Sequence, residues 1–302
     1  MILVVGGTGF VGAGIVRELA RRGKPVAVLT RDASRSANRF PGLAVEYREG
    51  DVTEPDSLAR TVKDVEAIVG SQQFPNSPIE DSKKGYTFEH IDAAGTENLV
   101  RAAVTAGVPR FVYLSGAGAS PAGHHWFRAK WRAEIAVRES GMIYTILRPS
   151  WVYGPEDVAL NRFLNMSRFL PFVPLIGNPG KQMMQPVFID DVGRAVAESL
   201  DNHAADNQTF ELGGPEVMSM SDVVRTALEL SGRRRLMIAS PKALMKIIAS
   251  VLQFMPGRPL TPYAVEFICQ DALADPAAIK KALGLTLTPL RDGLATYMSK
   301  EN

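Results

Sequence analysis

The chain has 302 residues, of which 46% are hydrophobic and 22% charged, a composition that excludes the disordered and fibrous classes of protein. Its 34 lysines and arginines against 32 aspartates and glutamates leave a formal charge of +2, which does not indicate a nucleic-acid partner. The single cysteine, Cys269, excludes an intrachain disulfide and paired-cysteine metal motifs, so we expect no metal site and a cytoplasmic, unexported protein. The longest apolar run, residues 243–255, is shorter than the roughly 20 residues of a membrane span, so only peripheral association with a membrane stays open.

Up to about residue 150, short β-branched runs alternate with helical patterns, which is typical of parallel βαβ units. Val11, Ile15 and Leu19 recur every four residues and mark a helix that packs one stripe on a sheet. The sequence therefore predicts an α/β fold, a doubly wound parallel sheet of the Rossmann type, over residues 1–150. Its predicted strands are Ile2–Val5, Val26–Thr30, Val45–Arg48, Ala67–Val69, Phe111–Ser115 and Tyr144–Leu147.

After Pro149 the pattern changes, and the many prolines and aromatics of residues 150–186 predict irregular structure over a pocket. Asp190 or Asp191 is the predicted cap of a helix. We expect residues 151–302 to hold late Rossmann elements at about 187–200 and a smaller C-terminal substrate or partner subdomain. The predicted elements are strands at 187–189 and 209–212, and helices at 192–200, 221–231, 241–254 and 277–283.

The stretch from Val4 to Gly12 follows a strand and opens a helix, the setting that a glycine-rich dinucleotide loop requires. Gly6 permits the tight turn, Gly9 lets the backbone approach a pyrophosphate, and Gly12 allows close packing of the helix. Free N–H groups at the helix start can then bind the phosphates. The alternative is that these glycines only turn the chain. The predicted cofactor-binding residues here are Gly6, Thr8, Gly9, Phe10, Val11 and Gly12.

The end of the second predicted strand bears on the choice of cofactor. Sites that prefer NAD place a carboxylate there for the ribose 2′-hydroxyl, whereas this strand ends in Thr30 and Arg31. Arg31 can pair with a 2′-phosphate, and Arg35 is a second predicted contact. NADP(H) is therefore favoured over NAD(H), although Asp32 lies close by, and a solvated surface role for both arginines stays open.

Five motifs occur along the chain: the glycine loop, Gly50-Asp51-Val52, Ile91 to Leu99, Phe111 to Ser115 and Leu147-Arg148-Pro149. Together they resemble the atypical, extended-type short-chain dehydrogenases/reductases over essentially the whole chain. The C-terminal run from Leu260 to Ala295 is most similar to the branch that contains the NADPH-binding accessory subunit of respiratory complex I. NmrA-like regulators and isoflavone-reductase-like enzymes are wider relatives.

The resemblance implies further contacts with the cofactor. It places Asp51 and Val52 around the adenine and Ser115 beside the nicotinamide, and it adds Lys130 and Pro149 to the cofactor-binding residues. Asp51 as a turn residue or helix cap, and Ser115 as a strand-end hydroxyl bonded to backbone, are the alternatives. Tyr153 is also placed near the cofactor, in a segment that equally signals a turn.

The same resemblance predicts incomplete catalytic machinery. Short-chain reductases usually place a Tyr four residues before a Lys on one helix face. Lys130 is present here, but Trp126 stands at the Tyr position, and its indole cannot shuttle a proton. The serine expected after the fifth strand aligns with Gly116.

Two functions stay open. In the first, Lys130 alone or with His125 supplies the proton of an NADPH-dependent reductase. In the second, the chain binds NADP(H) without turnover, as a sensor, assembly factor or accessory subunit with a protein partner. His125 as a surface histidine, and Lys130 paired with Glu134 one turn on, are the structural alternatives.

The predicted substrate side is apolar and suits a small quinone-like, lipid-like or aromatic molecule. The stripe on the helix at residues 243–255 is expected to be core, with a partner or membrane surface as the minority interpretation. The residues that either line the substrate pocket or belong to the core are Trp151, Phe163, Phe169, Met183 and Met184.

Overall fold

The structure, a computed structural model, describes residues 1–255 and 260–298; the predicted second domain's residues 256–259 and 299–302 lie outside it. Seven parallel strands form the central sheet in the order β3-β2-β1-β4-β5-β6-β11. Val5 at the end of β1 pairs with Leu29 of β2 and Gly70 of β4, so the strands end at one edge beside the point where the order reverses. Such an edge is where doubly wound sheets bind ligands. The sheet strands are β1 (Ile2–Val5), β2 (Val26–Thr30), β3 (Val45–Glu49), β4 (Ala67–Gly70), β5 (Arg110–Leu114), β6 (Ile143–Pro149) and β11 (Gln208–Leu212).

Helices cover both faces of this sheet, which confirms the predicted doubly wound α/β fold. The α1 and α7 side buries residues such as Ile15, Leu19 and Val192, and the α4 and α5 side buries Leu99 and Ala133. The helices are α1 (Phe10–Arg21), α2 (Ala33–Ser36), α3 (Pro55–Leu58), α4 (Gly95–Thr105), α5 (His125–Arg138), α6 (Val158–Phe169), α7 (Ile189–Asp201), α8 (Met220–Leu230), α9 (Lys242–Leu252), α10 (Pro262–Ile268), α11 (Ala277–Leu283) and α12 (Leu290–Ala295). A π-helix (Phe88–Ala94) precedes α4, and short 3₁₀-helices cover Ser82–Lys84 and His203–Ala205.

The prediction of irregular structure over residues 150–186 was wrong. Asp157 caps α6 by accepting hydrogen bonds from the N–H groups of Ala159 and Leu160, which permits a helix directly after Pro155. Pro174 is tolerated within a strand because that strand has one partner and lies at an edge. The smaller strands are β7 (Val152–Tyr153), β8 (Phe172–Ile176), β9 (Met183–Met184), β10 (Val187–Phe188), β12 (Met218–Ser219) and β13 (Leu236–Ser240).

Asp191 ties the C-terminal segment to α7. The helix starts at Ile189, so the predicted capping role of Asp190 or Asp191 was wrong, and both residues lie inside the first turn. The buried carboxylate of Asp191 accepts hydrogen bonds from the N–H of Thr288 at 2.7 Å and from its hydroxyl at 2.9 Å. Arg194, one turn on, completes the site with an ion pair to the same carboxylate.

The smaller subdomain has its own core. Leu160 and Leu164 of α6 meet Val223 and Val224 of α8, and Leu294 of α12 closes the cluster. Strands β8 and β13 pair in parallel beside it. Within residues 1–255 and 260–298, no helix is long and apolar enough to cross a membrane.

Candidate cofactor and reaction site

The glycine-rich loop joins β1 to α1 at the carboxyl edge of the sheet. Gly6 has a φ of +78°, and a Cβ on it would lie 2.7 Å from the backbone of Gln72. A Cβ on Gly12 would lie 2.2 Å from the carbonyl oxygen of Gly6, so the first turn of α1 packs directly on the loop. The predicted turn at Gly6 and the predicted close packing at Gly12 are confirmed.

The start of α1 can receive an anion. Gly9 is its N-cap and offers no side-chain hydrogen bond, and the first helical bond runs from the N–H of Ala13 to the carbonyl of Gly9. The N–H groups of Phe10, Val11 and Gly12 therefore have no partner one turn back in the helix. Together with the helix dipole they form the kind of site that binds a pyrophosphate. The cofactor contacts predicted for this loop, Thr8 included, stay predictions.

Two arginines and a glutamate, not identified from the sequence, lie against this loop. Arg39 donates a hydrogen bond to the carbonyl of Thr8 at 3.1 Å and forms an ion pair with Glu156. Arg17 of α1 pairs with the same carboxylate at 2.5 Å. Burial alone would raise the pKa of Glu156, but the hydrogen bonds from Arg39 and Arg17 outweigh it and hold the pKa below its usual value. No sequence motif predicts this cluster, because its members are up to 139 residues apart in the chain.

The side chains predicted to select the cofactor lie just beyond β2. Arg31 is exposed, and its guanidinium lies 6.0 Å from the centre of the Tyr86 ring, while Arg35 is exposed on α2. Asp32 caps α2, accepting from the N–H of Arg35 at 2.9 Å and from the hydroxyl of Ser34 at 2.7 Å. The hydrogen bond from the Arg35 backbone is the main reason that the pKa of Asp32 lies below its ordinary value.

The residues predicted around the adenine lie after β3. The Asp51 carboxylate accepts from the N–H and the hydroxyl of Thr53, both at 2.8 Å, so Asp51 is a turn residue, as the structural alternative had it. The carbonyl of Val52 accepts from the amide of Asn98 on α4 at 2.8 Å. This contact fixes the loop beside the cleft, and an adenine contact of Asp51 and Val52 stays a prediction.

A chain of polar contacts leads from the glycine loop to Lys130. Gln72, whose backbone lies against Gly6, donates from its side-chain amide to the hydroxyl of Thr96 at 2.7 Å. Thr96 donates in turn to the carbonyl of Asp92 at 2.6 Å. The carboxylate of Asp92, fully buried, lies 2.6 Å from Nζ of Lys130. The ammonium is also 3.4 Å from the carbonyl of Leu114 at the end of β5.

This ion pair determines the charge of Lys130. Burial is the largest single effect and disfavours the charged ammonium, but the attraction and hydrogen bonds of Asp92 and Tyr113 together outweigh it and raise the pKa of Lys130 above its ordinary value. Burial raises the pKa of the Tyr113 phenol, next to Lys130, to about 12. Both groups therefore stay protonated near neutral pH. The suggested pairing of Lys130 with Glu134 was wrong, because Asp92 takes that place.

Trp126, at the position of the usual tyrosine, is buried in an aromatic cluster. Its ring stacks on His124 at 4.5 Å and meets the edge of Phe267 from α10 at 5.4 Å. Phe88 of the π-helix completes the contact at 6.5 Å. Its indole Nε1 is buried and makes no hydrogen bond within the described part of the chain. Trp126 therefore has a packing role and cannot act as a general acid.

His125 has a partner that the sequence did not reveal. Its Nε2 lies 2.8 Å from the carboxylate of Glu80, in the segment between β4 and the π-helix. The pair lines a cavity of about 640 Å³ beside the start of α5, together with Arg128 and Tyr263. The sequence signal was weak, since Glu80 precedes His125 by 45 residues.

Ser115 belongs to a second buried network. Its hydroxyl donates to Glu134 at 2.6 Å, so it bonds a carboxylate and not the backbone that the alternative proposed. The same carboxylate, fully buried, accepts two hydrogen bonds from Arg148 and one from Arg138. Pro149 ends β6, and its carbonyl accepts from the N–H of Ala117. Contacts of Ser115 and Pro149 with a cofactor stay predictions.

Most apolar residues considered for the substrate pocket belong to the subdomain core. Met184 is buried there and Trp151 and Phe163 pack against it, whereas Phe169 is 86% exposed and is not a core residue, so its place in a substrate pocket stays a prediction. Tyr153 is fully buried, its hydroxyl donates to the carbonyl of Pro289 at 3.4 Å, and burial raises its pKa.

The site fits a nicotinamide dinucleotide. The first turn of α1 lacks a side-chain cap, and Oε1 of Gln72, next to the loop, is buried and accepts no hydrogen bond within the described residues. Both observations are expected where a polar ligand completes the site. Among residues 1–255 and 260–298, no group of three or more His, Cys, Asp or Glu side chains could hold a metal ion.

Comparison with known proteins agrees with this geometry. A 40 kDa mitochondrial subunit of NADH-ubiquinone oxidoreductase from Neurospora crassa is 28% identical over 91% of this chain and 72% of its own length. An NAD(P)H azoreductase of Xenophilus azovorans is 28% identical over 77% of this chain and 74% of its own. The structure of an NADPH-dependent quinone oxidoreductase of Escherichia coli, complexed with NADPH, superimposes with a TM-score of 0.74 at 18% identity, covering 98% of this chain and 99% of that one.

A family model described as NAD(P)H-binding matches residues 6–164, from the glycine loop to the middle of α6. The match covers more than half of the chain and includes the glycine loop, the Asp92–Lys130 pair and Trp126. It also supports the oxidoreductase class and the binding of a nicotinamide cofactor. The motifs resemble those of the atypical short-chain dehydrogenases/reductases, and the protein belongs to the NAD(P)H-binding family.

Proposed function

We propose that the protein is an NADPH-dependent reductase of an apolar, aromatic or quinone-like molecule, with chemistry centred on Lys130 and without the usual tyrosine. The observation that carries the proposal is the buried Asp92–Lys130 pair, which fixes an ammonium at the end of β5, joined to the glycine loop through Thr96 and Gln72. An ammonium held there suits the ribose hydroxyls of a dinucleotide that runs along the same sheet edge.

The preference for NADPH is part of this proposal. A carboxylate that selects NAD must be able to accept from the ribose 2′-hydroxyl. Asp32 is the carboxylate that follows β2, and it already accepts hydrogen bonds from the Ser34 hydroxyl and the Arg35 N–H at the start of α2. Arg31 and Arg35 are exposed beside it and supply positive charge for a 2′-phosphate.

At this Lys130-centred site we assign to Lys130 the holding of the cofactor and to His125 the supply of the proton. The raised pKa of Lys130 makes it a poor donor of protons, so its role is to hold the cofactor. His125 lines the cavity with its Nε2 2.8 Å from the Glu80 carboxylate, and an imidazole in this position can pass a proton to a substrate atom. When bound, NADPH supplies the hydride. One hydride and one proton together convert a quinone to a hydroquinone.

The relatives named above act on quinones or azo compounds by their printed names, which agrees with this substrate class. One observation favours the alternative, a non-catalytic NADP(H)-binding accessory subunit or sensor with a protein partner. Trp126 occupies the position of the acid and is packed between Phe88 and Phe267, so that position is closed to proton transfer.

The test measures NADPH oxidation by the purified protein with quinones, azo dyes and aromatic enones. We expect turnover, lowered at least about a hundredfold in Lys130→Ala and about tenfold or more in His125→Asn, effects typical of removing a positioning charge and a general acid. The matched control is His203→Asn. This histidine is exposed in the 3₁₀-helix that precedes β11, and its replacement should retain full turnover.

The outcomes separate the two functions. Turnover that survives Lys130→Ala contradicts the Lys130-centred chemistry. Absence of turnover with every acceptor, while calorimetry still shows NADPH bound, supports the accessory or sensor role. Absence of NADPH binding contradicts both.

A further inference from the structure

Helix α9 exposes its apolar face to solvent. Leu244, Ile247, Ile248 and Val251 lie within about one third of the helix circumference, and their exposed fractions are 50%, 67%, 39% and 68%. Ala249, on the opposite side, is the buried residue of the helix. The prediction that this stripe belongs to the core was therefore wrong, and the minority interpretation agrees with the structure.

The charged residues of α9 point the other way. Lys242 and Lys246 form ion pairs with Glu266 of α10, at 2.5 and 2.7 Å. A surface helix normally buries its apolar side and exposes its lysines. Here two lysines fasten the helix to its neighbour and the aliphatic side chains face outward, so the orientation is held by specific contacts.

Exposed apolar residues also flank α9 in the sequence. Of the 16 large hydrophobic side chains that are exposed within the described residues, eight fall between positions 236 and 255. Leu236 and Ile238 of β13 precede the helix, and Phe254 and Met255 follow it, with Phe254 exposed to 85%. We call this surface, residues 236–255, the α9 face. It is too concentrated to be the scattered exposure found on ordinary surfaces.

Positive charge accompanies this face. From Glu229 to Glu266 the sequence contains six basic residues and two glutamates, and one of these, Glu266, pairs with Lys242 and Lys246. Residues 158–189, which include the neighbouring strand β8, contain three basic residues and no acidic one. Arg234 is exposed two residues before Leu236, whereas Arg233 and Arg235 bind carbonyl or hydroxyl groups of α6.

We propose that the α9 face docks on an anionic lipid bilayer and holds the protein at a membrane surface. An exposed aliphatic stripe supplies insertion into the acyl boundary, and an excess of basic over acidic residues, which includes the exposed Arg234, supplies attraction to anionic headgroups. The charge pattern favours lipid over a second copy of the chain, because two such faces would bring like charges together. The proposal is independent of the reductase activity.

The test is co-sedimentation of the full chain with vesicles made of an equal mixture of phosphatidylcholine and phosphatidylglycerol, or of phosphatidylcholine alone. We expect binding to the anionic vesicles that weakens at high salt, where charges are screened. The double variant Ile247→Glu with Val251→Glu should lower binding at least about tenfold, because two inserted side chains are replaced by anions. Arg234→Glu, which leaves α9 intact, should lower it by a smaller factor.

The matched control is Val104→Glu with Val217→Glu, two exposed valines on α4 and before β12, which should bind like the wild type. Circular dichroism establishes that each variant is folded. Wild-type protein that does not bind anionic vesicles, or a folded double variant that binds them fully, overturns the proposal. A dimer in solution that the double variant dissociates also overturns it, and assigns the α9 face to a second copy.

Discussion

The two ends of the candidate cofactor cleft use different parts of the chain. At the end of β1 the binding groups belong to the backbone, in the left-handed Gly6 and the first turn of α1, which has no side-chain cap. At the end of β5 the candidate functional groups are side chains. Trp126 stands at the position of the usual tyrosine, and Lys130 has a buried carboxylate as its partner. A binding loop made of backbone has little room to vary, whereas a reaction site made of side chains can change its chemistry and leave binding intact.

The largest effect is expected at the reaction end. Lys130→Met leaves the Asp92 carboxylate buried without its cation, which should lower the free energy of unfolding by about 3 to 5 kcal/mol. Adding Asp92→Asn should restore most of that loss. Urea unfolding of the two single variants and the double variant measures the coupling. A Lys130→Met protein as stable as the wild type would show that the pair is not formed in solution.

Gly12→Ala should damage the phosphate end. Its Cβ would lie 2.2 Å from a backbone oxygen, which cannot move without distorting the loop. We expect NADPH affinity to fall at least about a hundredfold, or about 2.7 kcal/mol. Calorimetric titration gives the value, with Gly180→Ala, where the nearest atom is 3.9 Å away, as the control. Equal affinities in both variants would refute the assignment of the phosphates to this loop.

Arg31→Ala tests how the adenine end of the cleft selects its cofactor. Loss of one charge-assisted contact to a 2′-phosphate should weaken NADPH binding about tenfold and leave NADH binding nearly unchanged. Arg225→Ala removes an exposed arginine of the subdomain and should affect neither cofactor. Equal losses for NADPH and NADH in Arg31→Ala would remove the argument for NADPH.

The smallest expected effect on stability concerns α10, the helix that packs on Trp126. Hydrogen bonds from Lys242 and Lys246 lower the pKa of Glu266 from its ordinary 4.5 to about 2, and α10 carries Phe267 onto Trp126. Because the folded-state pKa is lowered, this stabilisation is present above pH 4.5 and is lost as the pH falls towards 2. Glu266→Gln should cost less than about 1 kcal/mol at neutral pH, as surface pairs do. Thermal melts of wild type and variant should converge near pH 2; a constant difference would contradict the ion pairs.

The sequence was informative where function follows from local spacing. The strand, turn and helix around Gly6 and Gly12 were predicted because the turn and the close packing involve residues within one loop. Partners separated along the chain were not predictable. The i, i+4 rule proposed Glu134 for Lys130, but burial brings Asp92 there from 38 positions away, and Glu134 pairs with Arg138 and Arg148.

Periodicity also could not show which way a helix faces. The stripe of α9 has the spacing of a core helix, and its outward orientation is shown by the exposure of its aliphatic side chains and by the contact of Lys242 and Lys246 with Glu266. The helix α6 was missed because prolines dominate its surroundings, although Asp157 was present as its cap.

The buried carboxylate of Asp191 has a practical consequence for anyone shortening or tagging the chain. Its two hydrogen-bond donors on Thr288 lie only a few residues before the last helix, α12. Cleavage upstream of that threonine would remove both hydrogen bonds and leave the buried carboxylate with Arg194 as its remaining partner, so deletion of the C-terminal segment should destabilise the nucleotide fold itself.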